Sequence, residues 1–441
     1  MSAGPFANEP LELCKRVRSM QVLVGAWHAI RRNAETSQTR WTKEKAKVFG
    51  QDLPRNLRRI QDRLRKGYVF DKAYGATPSK GPRKEGKRPL VVAPIEDRIV
   101  QRAILDVLQG AAELQKVQAV LATPTSIGGI PGRGVDCAIE LIDKAWLDGY
   151  RFAAGSDIQG FFTKIPKPRV FEFLRNEIDD ADFIVLVERA LTVELCNAEQ
   201  LSAEDLHMFP TGPDGVAQGC PLSALAGNIV LHDFDKKMND PARGLVCIRY
   251  IDDFLVLGKK LRSVEKGMEA AKAHLKRLRM NTYDPIRSPK KAFSGGLNGQ
   301  VFLGHSLVPG SYPPSDAAQA KLRKSVNSLI QAGQKAIDKA VEGRKLKSSD
   351  RTFAATLVAI TNSLQGWRGS FRSSNCPAIF AGLDNWVQRR VSDFESYFRT
   401  HTAGADAVGR NMALGVMPLV APSKALEPDS SKAKTSAPSA P

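Results

Sequence analysis

The chain has 441 residues, of which 42% are hydrophobic and 25% are charged, as in a globular protein with room for about two or three packed subdomains. The sequence has no apolar run of membrane-spanning length and no apolar segment near its start, so we expect neither a membrane span nor a secretory signal. The 6 cysteines are scattered without a C-x-x-C pair, which argues against a zinc site or a disulfide framework and favours the reducing cytoplasm. The formal net charge of +19 favours a polyanionic partner, although a merely soluble basic protein could carry the same charge.

The first part of the chain is predicted to be mainly helical. Residues 1–67 form an N-terminal helical extension in which apolar positions at helical spacing are interleaved with Arg and Lys. Residues 66–87 are rich in Gly, Pro and Lys and predict strands with a mobile loop. Residues 89–108 predict a short apolar strand followed by an amphipathic helix. A Gly-rich stretch, 127–134, leads into a predicted helix over 135–147.

The remaining chain changes character twice. Residues 150–307 mix short apolar strands with helices, which is typical of a sheet layer in an α+β fold. Residues 315–399 show helical periodicity throughout. Residues 401–441 are predicted to be a tail that is largely disordered, because much of it is Ser, Pro, Ala and Lys. We therefore predict an α+β fold class.

An Asp–Asp pair is the strongest chemical signal in the sequence. Asp252 and Asp253 stand between two β-prone, mostly apolar runs, which predicts a hairpin with both carboxylates at its turn. Asp favours turns in any protein, because its side chain bonds local backbone groups. That explanation does not account for two adjacent like charges in an apolar hairpin, which are tolerable chiefly when a cation neutralises them. This segment alone leaves both interpretations open.

A third carboxylate ends an apolar strand upstream of the pair. In the segment Arg151–Phe162 the strand ends at Asp157, and aromatic residues follow within a few positions. If this strand and the hairpin are neighbours in one sheet, Asp157, Asp252 and Asp253 form a cluster of three carboxylates. Such a cluster suits Mg²⁺, which prefers oxygen ligands and bridges substrate phosphates. Two such ions stabilise the attacking and leaving oxygens of an in-line displacement.

These residues resemble the motifs of reverse transcriptases and occur in the order typical of that family. The palm motifs are represented by Asp157 with the Phe pair that follows it, by Gln218–Ser223 and by Tyr250–Asp253. The resemblance covers roughly residues 68–399. Further segments are similar to the fingers motifs, to the primer-grip turn and to the thumb of group II intron-related enzymes: Arg88–Pro94, Asp97–Ala103, Phe302–Gly304, Gln365–Arg372 and Leu383–Trp386.

The resemblance implies a right-hand polymerase fold that copies RNA into DNA. Fingers and palm, with an antiparallel sheet plus helices in the palm, are expected over residues 68–310, and a helical thumb over 311–400. The family's chemistry makes Asp157, Asp252 and Asp253 catalytic. The metal-binding set implied is Asp157, Ile158, Asp252 and Asp253, holding two Mg²⁺ ions or Mn²⁺ in their place.

The same resemblance assigns residues to the nucleotide. Lys87 and Arg88 would grip the incoming triphosphate, since a guanidinium fork matches phosphate oxygens, although a Lys-rich loop is more often a solvated charge run. Gln218 and Gly219 would face the sugar, and a plain loop-to-helix junction explains the Gly but not the Gln. The ring of Phe162, otherwise a core aromatic, would exclude a 2′-hydroxyl and so favour deoxynucleotides.

Other positions are further candidates. Arg98, which could equally form a structural ion pair, and Tyr250 are candidates for nucleotide contacts. The primer grip would consist of Phe302, Leu303 and Gly304.

The implied function is RNA-directed DNA polymerisation with an RNA template, a DNA or RNA primer and deoxynucleoside triphosphates. The build resembles bacterial enzymes encoded beside a noncoding RNA, many of which defend against phage. We therefore expect a dedicated noncoding RNA as template, a role in antiphage defence, a cytoplasmic location and no membrane partner. The alternatives are a reduced group II intron-encoded enzyme with maturase activity and a catalytically silent RNA-binding protein on the same fold. The presence of all three carboxylates, Gln218 and Arg88 favours an active enzyme over a silent one.

Overall fold

The computed structural model describes residues 12–37, 40–79, 86–289, 291–347 and 349–418. The chain divides into two compact units, one ending at Asn298 and the other beginning at Gly299. The N-terminal helices therefore belong to the same unit as the central sheet, and the second unit begins ahead of the domain boundary predicted at residue 310.

The first unit is rich in helices. They are α1 (Leu13–Val17), α2 (Met20–Glu35), α3 (Arg40–Gln51), α4 (Leu53–Arg65), α5 (Ile95–Gly110), α6 (Gln115–Ala122), α7 (Val135–Leu147), α8 (Phe161–Lys164), α9 (Lys167–Arg175), α10 (Ala181–Leu191), α11 (Ala203–Leu206), α12 (Ser223–Met238) and α13 (Leu261–Arg277). Helix α7 covers the residues predicted for it. Helix α2 packs against α5, and its buried Leu23, Trp27 and Ile30 join the main core of the unit. The N-terminal extension is thus part of the packed unit.

The strands of the first unit form two antiparallel sheets. They are β1 (Tyr74–Ala76), β2 (Leu90–Val92), β3 (Phe152–Asp157), β4 (Leu245–Tyr250), β5 (Asp253–Gly258) and β6 (Ala292–Gly296). Strands β1 and β2 pair with each other, whereas the larger sheet has the order β4-β5-β3-β6. Helix α13 packs on β3 and β5, and α7 and α12 pack on β4. Gly155 in β3 allows the ring of Phe293 in β6 to pack closely, because a Cβ on Gly155 would lie 2.6 Å from that ring.

The second unit consists of a short hairpin and a helical bundle. Its elements are β7 (Val301–Phe302), β8 (His305–Ser306), α14 (Asp316–Val341), α15 (Phe353–Ser370), α16 (Pro377–Thr402) and α17 (Ala407–Leu414). Helix α14 packs against the other three helices, with Val326, Ile330 and Phe394 buried between them. The predicted helical periodicity is therefore confirmed. Among the described residues of either unit, no helix is both long and apolar enough to cross a membrane.

Helix α17 corrects the predicted tail. The tail was expected to begin at residue 401, yet Met412 and Ala413 are buried and α17 packs on α14. The helix begins at a local cap, because Asp406 accepts a hydrogen bond of 2.6 Å from the amide of Gly409. So short a helix does not stand out in a segment whose overall composition is that of a disordered chain. Residues 419–441 of the predicted tail and 80–85 of the predicted mobile loop lie outside the described residues.

Candidate active site

Three carboxylate-bearing residues come together at one end of the large sheet. Strands β3 and β5 are antiparallel neighbours, and their register pairs Asp157 with Asp253. Strands β4 and β5 pair Tyr250 with Asp253, so Ile251 and Asp252 form a two-residue turn between them. The amide of Ile158 donates to the carbonyl oxygen of Asp252 at 2.9 Å, which joins the turn to the end of β3. The strand arrangement required for the predicted cluster is therefore present.

The turn of this hairpin has a strained backbone. Ile251 has a φ of 59°, a left-handed value that is rare for a β-branched residue. Because only the first of the two central residues has a positive φ, the turn follows the type II′ pattern that suits the twist of a hairpin. The Ile251 side chain lies over a glycine pair: a Cβ on Gly128 would lie 2.6 Å from Ile251 Cγ1, and one on Gly129 would lie 3.3 Å from Ile251 Cδ1. The Gly-rich stretch noted in the sequence thus accommodates the turn.

Burial makes the Asp pair difficult to ionise. Desolvation, followed by the neighbouring charge of Asp252, raises the pKa of Asp253 to about 7. Desolvation also raises the pKa of Asp252, while its own backbone hydrogen bond and the positive charges of Arg249 and Arg88 act in the opposite direction. The surrounding protein therefore compensates the two like charges incompletely. A bound cation would complete that compensation.

Asp157 has a cationic partner in the structure. The ammonium group of Lys291, just ahead of β6, forms an ion pair with Asp157 and lies 5.4 Å from the centre of the Tyr283 ring. In the part of the chain that the structure describes, no three His, Cys, Asp or Glu side chains are arranged to hold a metal ion. The donor set still fits Mg²⁺, because all three candidate side chains are carboxylates. Ile158 is buried with an apolar side chain, so only its backbone oxygen could serve as a ligand.

The two basic residues predicted to bind the triphosphate have different surroundings. Lys87 donates to both carboxylate oxygens of Asp205, at 2.7 and 2.9 Å, and Asp205 also accepts from the hydroxyl of Thr77. Arg88 is exposed, and its amide bonds the carbonyl of Pro78 at 2.9 Å. Its positive charge is also one of those that partly offset the raised pKa of Asp252. Of the pair, Arg88 has a described electrostatic link to the carboxylates, whereas Lys87 is held by an acidic partner.

Gln218 and Gly219 lie beside β2. The carbonyl of Gln218 accepts a hydrogen bond of 3.2 Å from the amide of Val91, which extends the small sheet by a parallel bridge. Gly219 has a φ of 116°, and a Cβ there would lie 3.0 Å from the carbonyl oxygen of Val91. Both the backbone angle and this close approach favour glycine. Desolvation raises the pKa of Cys220 to about 11, which keeps its thiol protonated and agrees with a packing role.

Phe162 and its neighbour Phe161 have different environments in α8. Phe161 is 2% exposed, and a Cβ on Gly227 would lie 2.7 Å from its ring. Phe162 is only partly buried, its ring centre lies 5.5 Å from that of Phe161, and its carbonyl accepts from the amide of Val216 at 2.7 Å. The first ring is therefore a core residue. The second has an accessible face, as the predicted sugar gate requires.

The remaining candidates are placed as follows. Arg98 lies in the first turn of α5, where desolvation lowers its pKa, and no acidic partner pairs with it among the described residues, so the structural ion pair considered for it is not observed. Tyr250 ends β4 opposite Asp253. In the second unit, Phe302 pairs with His305, and Leu303 and Gly304 form the turn between β7 and β8 with φ values of 49° and 84°. Two positive φ values are typical of a type I′ turn.

Two site residues were missed from the sequence. Lys291 reaches Asp157 from a segment 134 residues away, so no local pattern indicates the pair. Arg249 lies in the mostly apolar run that predicts β4, yet it is 0% exposed and forms an ion pair with Asp235. The Arg itself was the one indication in the sequence, because a guanidinium in a buried strand needs hydrogen-bonding or ionic partners.

The chain is similar in sequence to known proteins. Residues 78–284 match the family described as reverse transcriptase (RNA-dependent DNA polymerase). Protein YkfC of Escherichia coli (strain K12) is 25% identical over 295 residues, which are 57% of this chain and 71% of YkfC. The uncharacterized 91 kDa protein in cob intron of Schizosaccharomyces pombe is 30% identical over 174 residues, which are 38% of this chain but only 18% of that protein.

Two solved structures have a weaker similarity to this chain. The partial Cas6-RT-Cas1–Cas2 complex has a chain that is 22% identical, with a TM-score of 0.34, and the match covers 60% of this chain and 42% of that one. The apo telomerase from Candida Tropicalis is 11% identical, with a TM-score of 0.41, and the match covers 76% of this chain and 62% of that one. Because both TM-scores are low, the family assignment rests on the sequence matches and on the motifs they contain. Residues 78–284, slightly less than half of the chain, form a domain of the reverse transcriptase (RNA-dependent DNA polymerase) family.

Proposed function

We propose that the carboxylates of Asp157, Asp252 and Asp253 bind two Mg²⁺ ions, or Mn²⁺ in their place, and that deoxynucleotides are joined to a primer at this site. The main support is the register that opposes Asp157 to Asp253, together with the hydrogen bond from Ile158 to Asp252. When bound, the two ions lower the pKa of the primer 3′-hydroxyl and stabilise the charge on the leaving pyrophosphate.

The chain's own residues bind and orient the substrates around this centre. The exposed guanidinium of Arg88 binds triphosphate oxygens, while the side-chain amide of Gln218 is available to the nucleotide sugar. Gly219 keeps the backbone close to the bound nucleotide, and Phe162 occupies the space that a 2′-hydroxyl would need. The ammonium group of Lys291 competes with a metal ion for the Asp157 carboxylate. Lys87 remains with Asp205 and stabilises the segment that leads into β2.

The nucleic acid substrates are an RNA template and a DNA or RNA primer. The formal charge of +19 supports a polyanionic partner, and several arginines of α4 are exposed to solvent. We propose a dedicated noncoding RNA as the template and a role in antiphage defence in the cytoplasm. A second candidate, a maturase that assists intron splicing, is favoured by the similarity to a protein in cob intron.

Primer extension on an RNA template tests the proposed chemistry. Asp252→Ala and Asp157→Ala should reduce Mg²⁺-dependent extension by about 10³-fold, equivalent to the loss of roughly 4 kcal/mol of transition-state stabilisation. Asp182→Ala is the matched control, since it removes an exposed carboxylate from the first turn of α10. Near-normal extension by folded Asp252→Ala would show that the metal site is wrongly assigned.

A separate experiment addresses the template and the role. The protein is crosslinked in cells, and both the bound RNA and the newly made DNA are sequenced. One enriched noncoding RNA that also appears as DNA would support a dedicated template, and protection against phage that Asp252→Ala abolishes would support defence. An enriched intron, with splicing that survives Asp252→Ala, would support the maturase. A mixture of unrelated RNAs would contradict the dedicated template.

A further inference from the structure

Arg249 is a charged residue within the buried sheet, and its guanidinium uses all of its donors. The side chain is 0% exposed. Its Nε and Nη2 donate to the two carboxylate oxygens of Asp235, at 2.8 and 2.5 Å. Its Nη1 donates to Asn228 Oδ1 at 2.9 Å and to the carbonyl oxygen of Ile251 at 3.0 Å, and Nη2 donates to Ser126 Oγ at 2.8 Å. A guanidinium has five N–H groups, and these bonds account for all of them.

The partners of Arg249 belong to separate parts of the chain. Asp235 and Asn228 lie on α12, Ser126 precedes the Gly-rich stretch, and Ile251 is the first residue of the turn. Asn228 closes the network, because its Nδ2 donates to the carbonyl of Gly128 at 3.0 Å. Gly128 is the residue over which the Ile251 side chain lies. Arg249 thus holds the turn by bonding the carbonyl oxygen of Ile251. Asn228 fixes Gly128, over which the side chain of Ile251 lies.

The bond to the Ile251 carbonyl has a specific conformational effect. Type I′ and type II′ turns differ mainly by a flip of the peptide between the two central residues, here Ile251 and Asp252. In a flipped turn the Ile251 carbonyl would point away from the guanidinium, and the backbone that carries Asp252 would change direction. The donor from Arg249 therefore selects one orientation of this peptide.

We infer that Arg249, oriented by Asp235, is a positioning residue that fixes the turn peptide and thereby aims Asp252 at the metal ions. The inference rests on the proposed function of Asp252. Residues that orient metal ligands commonly affect metal affinity or activity by about 10- to 100-fold, although they never touch the substrate. If the pair of Arg249 and Asp235 had a purely structural role, its removal would change the stability of the fold but neither the rate of extension nor its Mg²⁺ dependence.

Removing both charges separates these two roles. Loss of one partner alone leaves a buried unpaired charge, whereas replacing a buried ion pair by apolar residues is often neutral for stability. The double variant Arg249→Met/Asp235→Leu should therefore fold, as judged by thermal unfolding. It should nevertheless extend a primer about 10- to 100-fold more slowly and need a higher Mg²⁺ concentration for half-maximal rate, with RNA affinity unchanged. A folded double variant with wild-type rate and Mg²⁺ dependence would overturn the inference.

A second variant decides the question if the double variant does not fold. Arg249→Lys keeps a positive charge opposite Asp235, but one ammonium cannot span the acceptors on α12, Ser126 and the turn. It should show the same slower extension and raised Mg²⁺ requirement, and normal values for both would overturn the inference.

The matched control is Asn239→Ala. Asn239 bonds Thr125, Asp235 and both backbone polar groups of Cys247, yet no atom of the turn. This control should lower the unfolding temperature and leave the Mg²⁺ dependence unchanged, while a raised Mg²⁺ requirement here too would overturn the specific role of Arg249. Asp252→Ala is measured in parallel, because its retained activity would refute the proposed metal site rather than the role of Arg249.

Discussion

Ile158 and Asp252 are joined by a backbone hydrogen bond of 2.9 Å that links the end of β3 to the turn of the neighbouring hairpin. Each of these residues is adjacent in sequence to a further carboxylate, Asp157 on one side and Asp253 on the other. A displacement of the turn should therefore also move Asp157, and a displacement of the end of β3 should move the Asp pair. We therefore expect the cationic neighbour of Asp157 to influence metal binding by the other two carboxylates as well.

Replacing Lys291 should tighten Mg²⁺ binding. The Lys291 ammonium pairs with Asp157 and so competes with a metal ion for the same carboxylate. Since both groups are partly solvent-exposed, the competition is worth no more than about 1 kcal/mol, or up to roughly a five-fold change in affinity. Titration calorimetry of Mg²⁺ into Lys291→Met without nucleic acid measures this change. Lys276→Met, which removes an exposed positive charge from the end of α13, serves as the control. Unchanged or weaker binding by Lys291→Met would contradict the prediction.

How much of this site the sequence could predict depends on the range of each interaction. Strand β3, the β4–β5 hairpin and α7 were predicted, because alternating or helical patterns and Asp at a turn are local features. The approach of Lys291 to Asp157 and of Lys87 to Asp205 joins segments more than a hundred residues apart. Such pairs are fixed by the register of the sheet and by loop packing, which a single sequence does not encode locally.

The turn itself shows a second limit. The Gly-rich stretch was recognised, but its role in accommodating Ile251 depends on contact distances across separate segments. The positive φ of Ile251 contradicts the local preference of a β-branched residue and is maintained by the surrounding contacts. Local propensity is therefore least informative at the position where the geometry of the site is set.

Replacing Phe162 should relax the choice of sugar without unfolding the protein. The ring of Phe162 is partly exposed, so Phe162→Ala should admit ribonucleotides and reduce discrimination by a few kcal/mol, or about 10²-fold. The ratio of kcat/KM for matched deoxy- and ribonucleotides measures this effect. Phe161→Ala is the contrasting variant, because loss of a buried ring should lower the free energy of unfolding by about 3–5 kcal/mol and leave the sugar ratio unchanged. If Phe162→Ala has an unchanged ratio, Phe162 is not the gate.

Asp97 should make stability fall as the pH rises. Its carboxylate is buried and accepts from the hydroxyl of Tyr68 at 2.8 Å and the amide of Asp71 at 2.9 Å, yet desolvation dominates and raises its pKa from 3.8 to about 6. Between these values the folded state binds more protons than the unfolded state. The stabilisation that Asp97 contributes is therefore fully present below pH 4. It is lost as the pH rises through 6, which lowers the free energy of unfolding by up to about 3 kcal/mol.

Urea unfolding of the wild type and of Asp97→Asn between pH 4 and 7.5 tests this assignment. The difference in unfolding free energy between the two proteins should change with pH in the stated window. The control, Asp182→Asn, removes an exposed carboxylate and should follow the wild type. A wild-type slope that persists in Asp97→Asn would assign the pH dependence to other groups.

The last prediction concerns the basic surface of α4. Arg58 is exposed and has no ion-pair partner among the described residues, so its full charge is available to a phosphate. Arg31 on α2 is also exposed, but its Nε bonds Glu35 at 2.8 Å, which already offsets its charge. Arg58→Gln should weaken RNA binding to a similar extent for any RNA sequence. Because each phosphate contact releases condensed counterions, the slope of log affinity against log salt should become shallower by about 0.7 to 0.9. Arg31→Gln removes the same formal charge and should change the slope much less. Filter binding between 50 and 300 mM salt measures both slopes, and equal effects of the two substitutions would show that α4 makes no particular contact with RNA.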